Sequence, residues 1–122
     1  ERYNQAGMEA YQQANYAEAE KQWSSALQEA EKFGPEDPRL ATSLNNLAAL
    51  YLAQGKYGET EPLLQRALAI VEKALGPEHP EVATSLENYA DLLRKMGRED
   101  EAAKMEARAQ AIRAKNAQGS NQ

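Results

Sequence analysis

The stretch Ala41-Thr42-Ser43-Leu44-Asn45-Asn46-Leu47-Ala48 returns 42 residues later as Ala83-Thr84-Ser85-Leu86-Glu87-Asn88-Tyr89-Ala90. A period between about 20 and 50 residues is the signature of a repeat architecture and takes precedence over any reading of single segments. Working outward, Gly34-Pro35-Glu36-Asp37-Pro38 precedes the first copy as Gly76-Pro77-Glu78-His79-Pro80 precedes the second. Gly55 returns as Gly97, and Ala67 as Ala109. A weaker copy lies upstream at an offset of 41, where Gly7, Tyr16, Ala19, Trp23, Ala26 and Leu27 match Ala48, Tyr57, Thr60, Leu64, Ala67 and Leu68.

Each repeat reads as two helices. Leu40, Leu44, Leu47, Leu50 and Tyr51 recur at spacings of three and four, which places them on one helical face. Gly55-Lys56 interrupts that series. A second one, Leu63, Leu64, Ala67, Leu68, Val71 and Leu75, ends at Gly76-Pro77, where Gly suits a left-handed cap and Pro cannot continue the helix. Asp37-Pro38 supplies an N-cap acceptor followed by a Pro at the first helical position. The pattern predicts six helices, near 2–13, 16–32, 38–53, 57–75, 80–95 and 99–115, in one domain over 1–115 with repeats at about 3–33, 38–75 and 80–115. Residues 116–122 read as a flexible polar tail. Pro62 removes a bond to the carbonyl of Gly58 and predicts a slight kink or a tightened first turn.

The 122 residues carry 14 basic and 19 acidic side chains, a formal charge of −5, with 42% hydrophobic residues, enough for a packed core. Residues 1–37 hold 3 basic and 8 acidic side chains and thus all of the net charge, whereas Arg108, Arg113 and Lys115 close the chain without an acid after Ala107. An acidic chain lacking a dense basic patch is not a nucleic-acid surface. The absence of Cys excludes disulfides, thiolate metal sites and cysteine nucleophiles. No apolar run reaches the roughly 18 residues of a membrane span. The chain therefore reads as soluble, with the compartment open: it starts at Glu1 rather than Met, which leaves room for a removed signal or further repeats.

These motifs resemble the tetratricopeptide repeat in its 42-residue form, the kind found in kinesin light chains and many bacterial scaffold proteins. Leu47-Ala48, Tyr51, Gly55-Lys56-Tyr57, Glu61-Pro62-Leu63-Leu64 and the link Gly76 to Ala83 carry the resemblance, which covers about residues 3–115. It implies an all-α fold, a right-handed α-solenoid of three helix pairs, with first helices lining a concave groove that binds a partner peptide or helix. Transferred onto this chain, the groove positions are Gln5, Met8 and Gln12 with Asn4; Asn45, Asn46 and Ala49 with Thr42 and Ala53; and Asn88, Asp91 and Lys95 with Thr84 and Glu87. Gln5, Asn46 and Asn88 occupy equivalent places. A column of amides, each both donor and acceptor, can pair with the backbone of an extended peptide. Carboxylate-clamp members of the family use Lys, Asn and Arg where this chain has Asn4, Met8, Asn46, Thr84 and Asn88, and only Asn46 agrees. Two departures stand out. Thr60 replaces the usual Ala, and Glu106 stands where Trp23 and Leu64 are apolar, so that the last helix is expected to turn a polar face outward, as a terminal repeat must.

Enzymatic readings find no support. His79 is the only histidine; it sits in a link and reads as a cap, and with Glu78 and Glu81 it offers too few ligands for a metal. No glycine run forms a phosphate cradle, and Glu99, Asp100 and Glu101 suit the start of a helix. No cofactor is expected. The partner is expected to be a protein or peptide, without nucleic acid or membrane insertion. The alternatives are a weak homo-oligomer, in which the acidic first repeat meets the basic last helix of a neighbour, and a spacer within a longer array.

Overall fold

The computed structural model describes residues 2–120. Over them the chain folds into six helices without a strand: α1 (Arg2–Gln12), α2 (Tyr16–Glu31), α3 (Pro38–Ala53), α4 (Tyr57–Leu75), α5 (Pro80–Lys95) and α6 (Glu99–Ser120). Five of the six end within one residue of the expected bounds. The exception is α6, whose helix continues through the expected polar tail to Ser120, while 121 and 122 lie outside the described residues. Two contacts hold that extra turn: the Asn116 side chain donates to the Glu78 carbonyl at 2.9 Å and to the Ile112 carbonyl at 2.8 Å.

The ends are set by local chemistry. Asp37 accepts from the Arg39 amide at 2.9 Å and His79 Nδ1 accepts from the Glu81 amide at 3.1 Å, so these residues cap α3 and α5 ahead of Pro38 and Pro80. The Arg39 side chain also donates to Asp37, which holds that carboxyl at about 2. Inside each repeat the turn closes with the same long-range bond: Asn15 N to Ala10 O, Lys56 N to Tyr51 O and Arg98 N to Leu93 O, each 2.8 Å. That is the 6→1 bond of a Schellman cap, and it requires a left-handed residue just before the donor. Gly55 and Gly97 supply it in two repeats; in the first it is Ala14, at φ 61°. Pro62 is exposed and α4 runs unbroken through it.

Each helix packs on its sequence neighbours. Among non-neighbours, α3 meets both α1 and α5 directly, whereas α2, α4 and α6 do not meet one another. First helices therefore form the inner layer of a right-handed α-solenoid and second helices the outer layer. One apolar cluster runs from Ala30 of α2 through Leu40, Leu44 and Val71 to Val82, Leu86 and Ile112, and another joins Ala10, Ala19 and Trp23 of the first pair to Leu47 and Leu50 of α3. Ala19, Thr60 and Ala102 are wholly buried at matching places on the second helices. Thr60 fits in the alanine place because its hydroxyl donates back to the Lys56 carbonyl at 2.7 Å.

The closest approach is in the first pair. A Cβ built on Gly7 lies 2.3 Å from Trp23 Nε1 and 2.4 Å from its Cδ1, and that indole, 1% exposed, donates to the Asn4 carbonyl at 3.2 Å. Gly7→Ala is expected to destabilise the chain by about 1–3 kcal/mol through overpacking, despite the better helix propensity of Ala. Ala14→Gly relieves a left-handed alanine and is expected to raise the melting temperature. Chemical and thermal denaturation followed by circular dichroism check both signs.

Candidate functional site

The inner layer presents two adjoining clefts between α3 and α5. The narrower one is lined by Asn45, Ala48, Ala49, Leu52, Asn88 and Asp91 and by Leu64 beneath them. The wider one, about 600 Å³ and open, shares Ala49, Leu52, Asn88 and Asp91 and adds Tyr11, Ala53, Tyr57 and Lys95. Small side chains at Ala49 and Ala53 leave the room, and Leu52 with the two tyrosines gives the floor an apolar, aromatic character. Tyr11, Leu52 and Tyr57 are not among the positions that the family geometry singles out. Helical spacing would have placed Leu52 and Tyr11 at matching positions 41 residues apart, but only their shared role beside a second-helix residue reveals the aromatic wall.

Of the nine expected groove residues, the structure brings five together here: Asn45, Ala49, Asn88, Asp91 and Lys95. Gln5, Met8 and Gln12 are exposed on α1 outside both clefts, Met8 at 44%. Asn46 departs from the uniform amide column, because its Nδ2 donates to Asn4 Oδ1 of the preceding repeat at 3.2 Å. The equivalent bond from Asn88 to Asn45 is not made, and the buried Oδ1 of Asn45 has no partner among the described residues. Asp91 faces solvent at 63% exposure with Arg94 4.0 Å away. Among the described residues Lys95 has no ion-pair partner.

One layer below, the contact between the first and second helix of each repeat changes chemistry along the stack. Tyr11 packs on Trp23 with ring centroids 5.7 Å apart, Leu52 packs against the cluster around Leu64, and in the same place Arg94 grips Glu106. Arg94 Nη1 donates to Glu106 Oε2 at 2.7 Å and Nη2 to the other oxygen. The side chain expected to make a polar face on the last helix stays 40% exposed and leans on a cation of α5 at the helix contact. Hydrogen bonding from Arg94 holds the Glu106 carboxyl below its ordinary value. Arg94 is spent in this pair and leaves Lys95 as the available cation of the cleft.

Polar side chains also tie the layers together. Tyr51 donates to Glu20 at 3.0 Å, and its phenol is pushed up to about 12 by burial and by that carboxylate. Tyr89 donates to Glu61 at 2.7 Å, where Arg98 also binds at 3.1 Å. On the outer layer Arg66 pairs with Glu31 at 3.7 Å and Arg108 with Glu72 at 2.7 Å, while Lys73 reaches Glu36 and Lys115 reaches Glu78. Arg113 takes Glu87 with two bonds of 2.8 and 2.7 Å. Arg108, Arg113 and Lys115, the basic residues that follow Ala107, are therefore engaged within the chain. Among the described residues, no three His, Cys, Asp or Glu side chains are placed to hold a metal ion, and no helix is long and apolar enough to cross a membrane.

Replacing Arg94 and Glu106 by the Leu pair of the preceding repeat tests the exchange. Since both groups are more than a third exposed, each single Leu variant is expected to lower the melting temperature only slightly, and the double variant to match or exceed the parent melting temperature. The ion pair contributes above the ordinary carboxylate pKa near 4.3 and is lost as pH falls through the lowered folded value. The double variant should accordingly lose less stability below about pH 4, as read from thermal melts across pH.

Comparison with known proteins places these features. A family model described as tetratricopeptide repeat matches residues 2–59 and 41–115. No curated protein matches the chain. Among solved structures, BtubC (BKLC) from P. vanneervenii superimposes with a TM-score of 0.84 at 26% identity, over 92% of this chain and 45% of that one. A Podosopora anserina putative kinesin light chain with nearly identical TPR-like repeats gives 0.84 at 27%, over 94% of this chain and 55% of that one. The chain spans about half the length of the structures it matches.

Proposed function

The chain belongs to the tetratricopeptide repeat family, whose fold generally mediates protein–protein interaction, and from that premise we propose that its inner face binds an extended segment of a partner protein. The observation that carries this reading is the pair of adjoining clefts between α3 and α5, where small side chains open a trough over an apolar floor and polar groups stay unspent. Asn88 sits at the centre, lining both clefts, with Asp91 beside it and Lys95 at one end. An amide in that position pairs with a peptide N–H and C=O whatever the side chains are, and Tyr11, Leu52 and Tyr57 receive the apolar ones. The family's general role is interaction rather than catalysis.

Head-to-tail assembly is not favoured by a specific observation. Its electrostatic basis was the free basic end, and Arg108, Arg113 and Lys115 each pair with a glutamate of the same chain. The outer-layer pairing also lacks its partners at the ends: the place of Glu31 and Glu72 is Ala114 in the third repeat, and the place of Arg66 and Arg108 is Ser25 in the first.

Selection from a random dodecapeptide library, with affinities by fluorescence anisotropy, tests the groove. Selected peptides are expected to lose about tenfold in affinity to Asn88→Ala, the equivalent of one hydrogen bond of about 1.4 kcal/mol, with helicity unchanged. Gln5→Ala should leave affinity within about twofold, since Gln5 lies outside both clefts. Affinities indifferent to Asn88 would remove the assignment. Sedimentation at low and high salt is expected to give the same monomer mass at each.

A further inference from the structure

One amide pairing that the first seam makes is left open in the second. Between α1 and α3, Asn46 Nδ2 donates to Asn4 Oδ1 at 3.2 Å. Between α3 and α5 the matching places hold Asn88 and Asn45, both on the walls of the narrow cleft. There Asn45 Oδ1 is buried without a hydrogen-bond partner, and the Asn88 amide is likewise unbonded among the described residues. A buried amide oxygen rarely stays unpaired in a folded chain.

Asp91 gives the surroundings of Asn88 the same polarity. It follows Asn88 by three residues on α5, the spacing of surface neighbours on a helix, lines both clefts with it and is 63% exposed. Asn88 therefore has acceptors of this chain on two sides, the Asn45 oxygen across the seam and the Asp91 carboxylate along the helix. Asn46 differs: the residue three places after it is Ala49, and Asn46 lines neither cleft. An asparagine amide carries two N–H donors and one carbonyl oxygen. At Asn88 each donor has an acceptor to turn to, and the carbonyl oxygen is what remains for the groove.

From this we infer that Asn45 is a positioning residue of the groove, which takes the Asn88 Nδ2 and so holds the Asn88 oxygen toward the bound segment. The terminal torsion of an asparagine is broad, and α3 meets α5 as directly as it meets α1, so the bond of the first seam is repeated by turning the two amides. The inference rests on the groove reading and narrows it. Of the two bonds that an amide can offer a peptide, one is left, an acceptor for a backbone N–H. The partner's residue over Asn88 then has a free choice of side chain but is not proline, which has no N–H to give.

Two arms test this. In the isotope-labelled free chain, one Asn88 Nδ2 proton is expected to exchange with water about tenfold more slowly in the parent than in Asn45→Ala. Asn45→Asp, which restores an acceptor, is expected to keep that protection; the third repeat already carries a carboxylate at this place, Glu87. Circular dichroism reports that both variants keep the parent helicity. Equal exchange in the three chains, or protection that survives Asn45→Ala, overturns the inference. For the second arm, a library-selected dodecapeptide is N-methylated at one backbone amide at a time. One position is expected to cost about tenfold in affinity for the parent and for Asn45→Asp, and less than about twofold for Asn88→Ala and Asn45→Ala. N-methylation costs that are the same for all four chains overturn the inference and leave the groove. If no peptide is recovered while the proton is protected, the groove reading and the recognition built on it fail, and the pairing of Asn45 with Asn88 stands.

Discussion

Two helices can lie backbone to backbone only where neither carries a large side chain, and this chain meets that condition at the same place in every repeat. Gly7, Ala48 and Ala90 on the first helices, and Ala19, Thr60 and Ala102 on the second, are all buried. The neighbouring contact then has latitude, and the three repeats fill it with Tyr11 and Trp23, with Leu52 and Leu64, and with Arg94 and Glu106. The backbone geometry survives an aromatic, an aliphatic and an ionic solution because it is fixed by the small residues beside them. Only the bulkiest solution leaves no slack, and there the first helix gives up a side chain at Gly7.

What was legible in the sequence is what local chemistry decides. The 42-residue recurrence, the Asp37 and His79 caps and the glycine turns specify where helices start and stop, because each involves residues within one turn of chain. What was not legible depends on which residues meet across repeats. The pairing of Glu106 requires knowing that Arg94 faces it. The spending of Asn46 on Asn4 depends on how closely two inner helices approach, which no spacing rule encodes. The helical path beyond residue 115 depends on Asn116 finding the Glu78 carbonyl in a distant link. Five of the nine expected groove residues converge, and the four that stand apart are the three on α1, where the repeat is most degenerate, and Asn46.

The charge map follows the same logic. Read linearly, the acidic start and basic end look like two faces waiting for each other. In space, cations on the outer helices reach back to acids one repeat earlier, Arg66 to Glu31 and Arg108 to Glu72, with Lys73 and Lys115 reaching the links. An array that pairs backward keeps an acid without a matching base in its first repeat, where Ser25 stands at the cation place, and a base without a matching acid in its last, where Ala114 stands at the acid place. The gradient in sequence is thus a record of stacking direction, and the first repeat accounts for the residual negative charge.

The two layers are held by different kinds of force. Inner helices touch directly over apolar and amide contacts, whereas among the described residues the outer helices make no close backbone contact with one another and are spanned by long, exposed ion pairs. Such pairs are soft and are screened over about 10 Å at 0.1 M salt, while packed contacts are not. Mechanically the stack resembles a spine hinged along its inner edge and sprung along its outer one. A change of curvature would widen or narrow the trough between α3 and α5 while leaving the core packed, so the proposed groove would take segments of different girth.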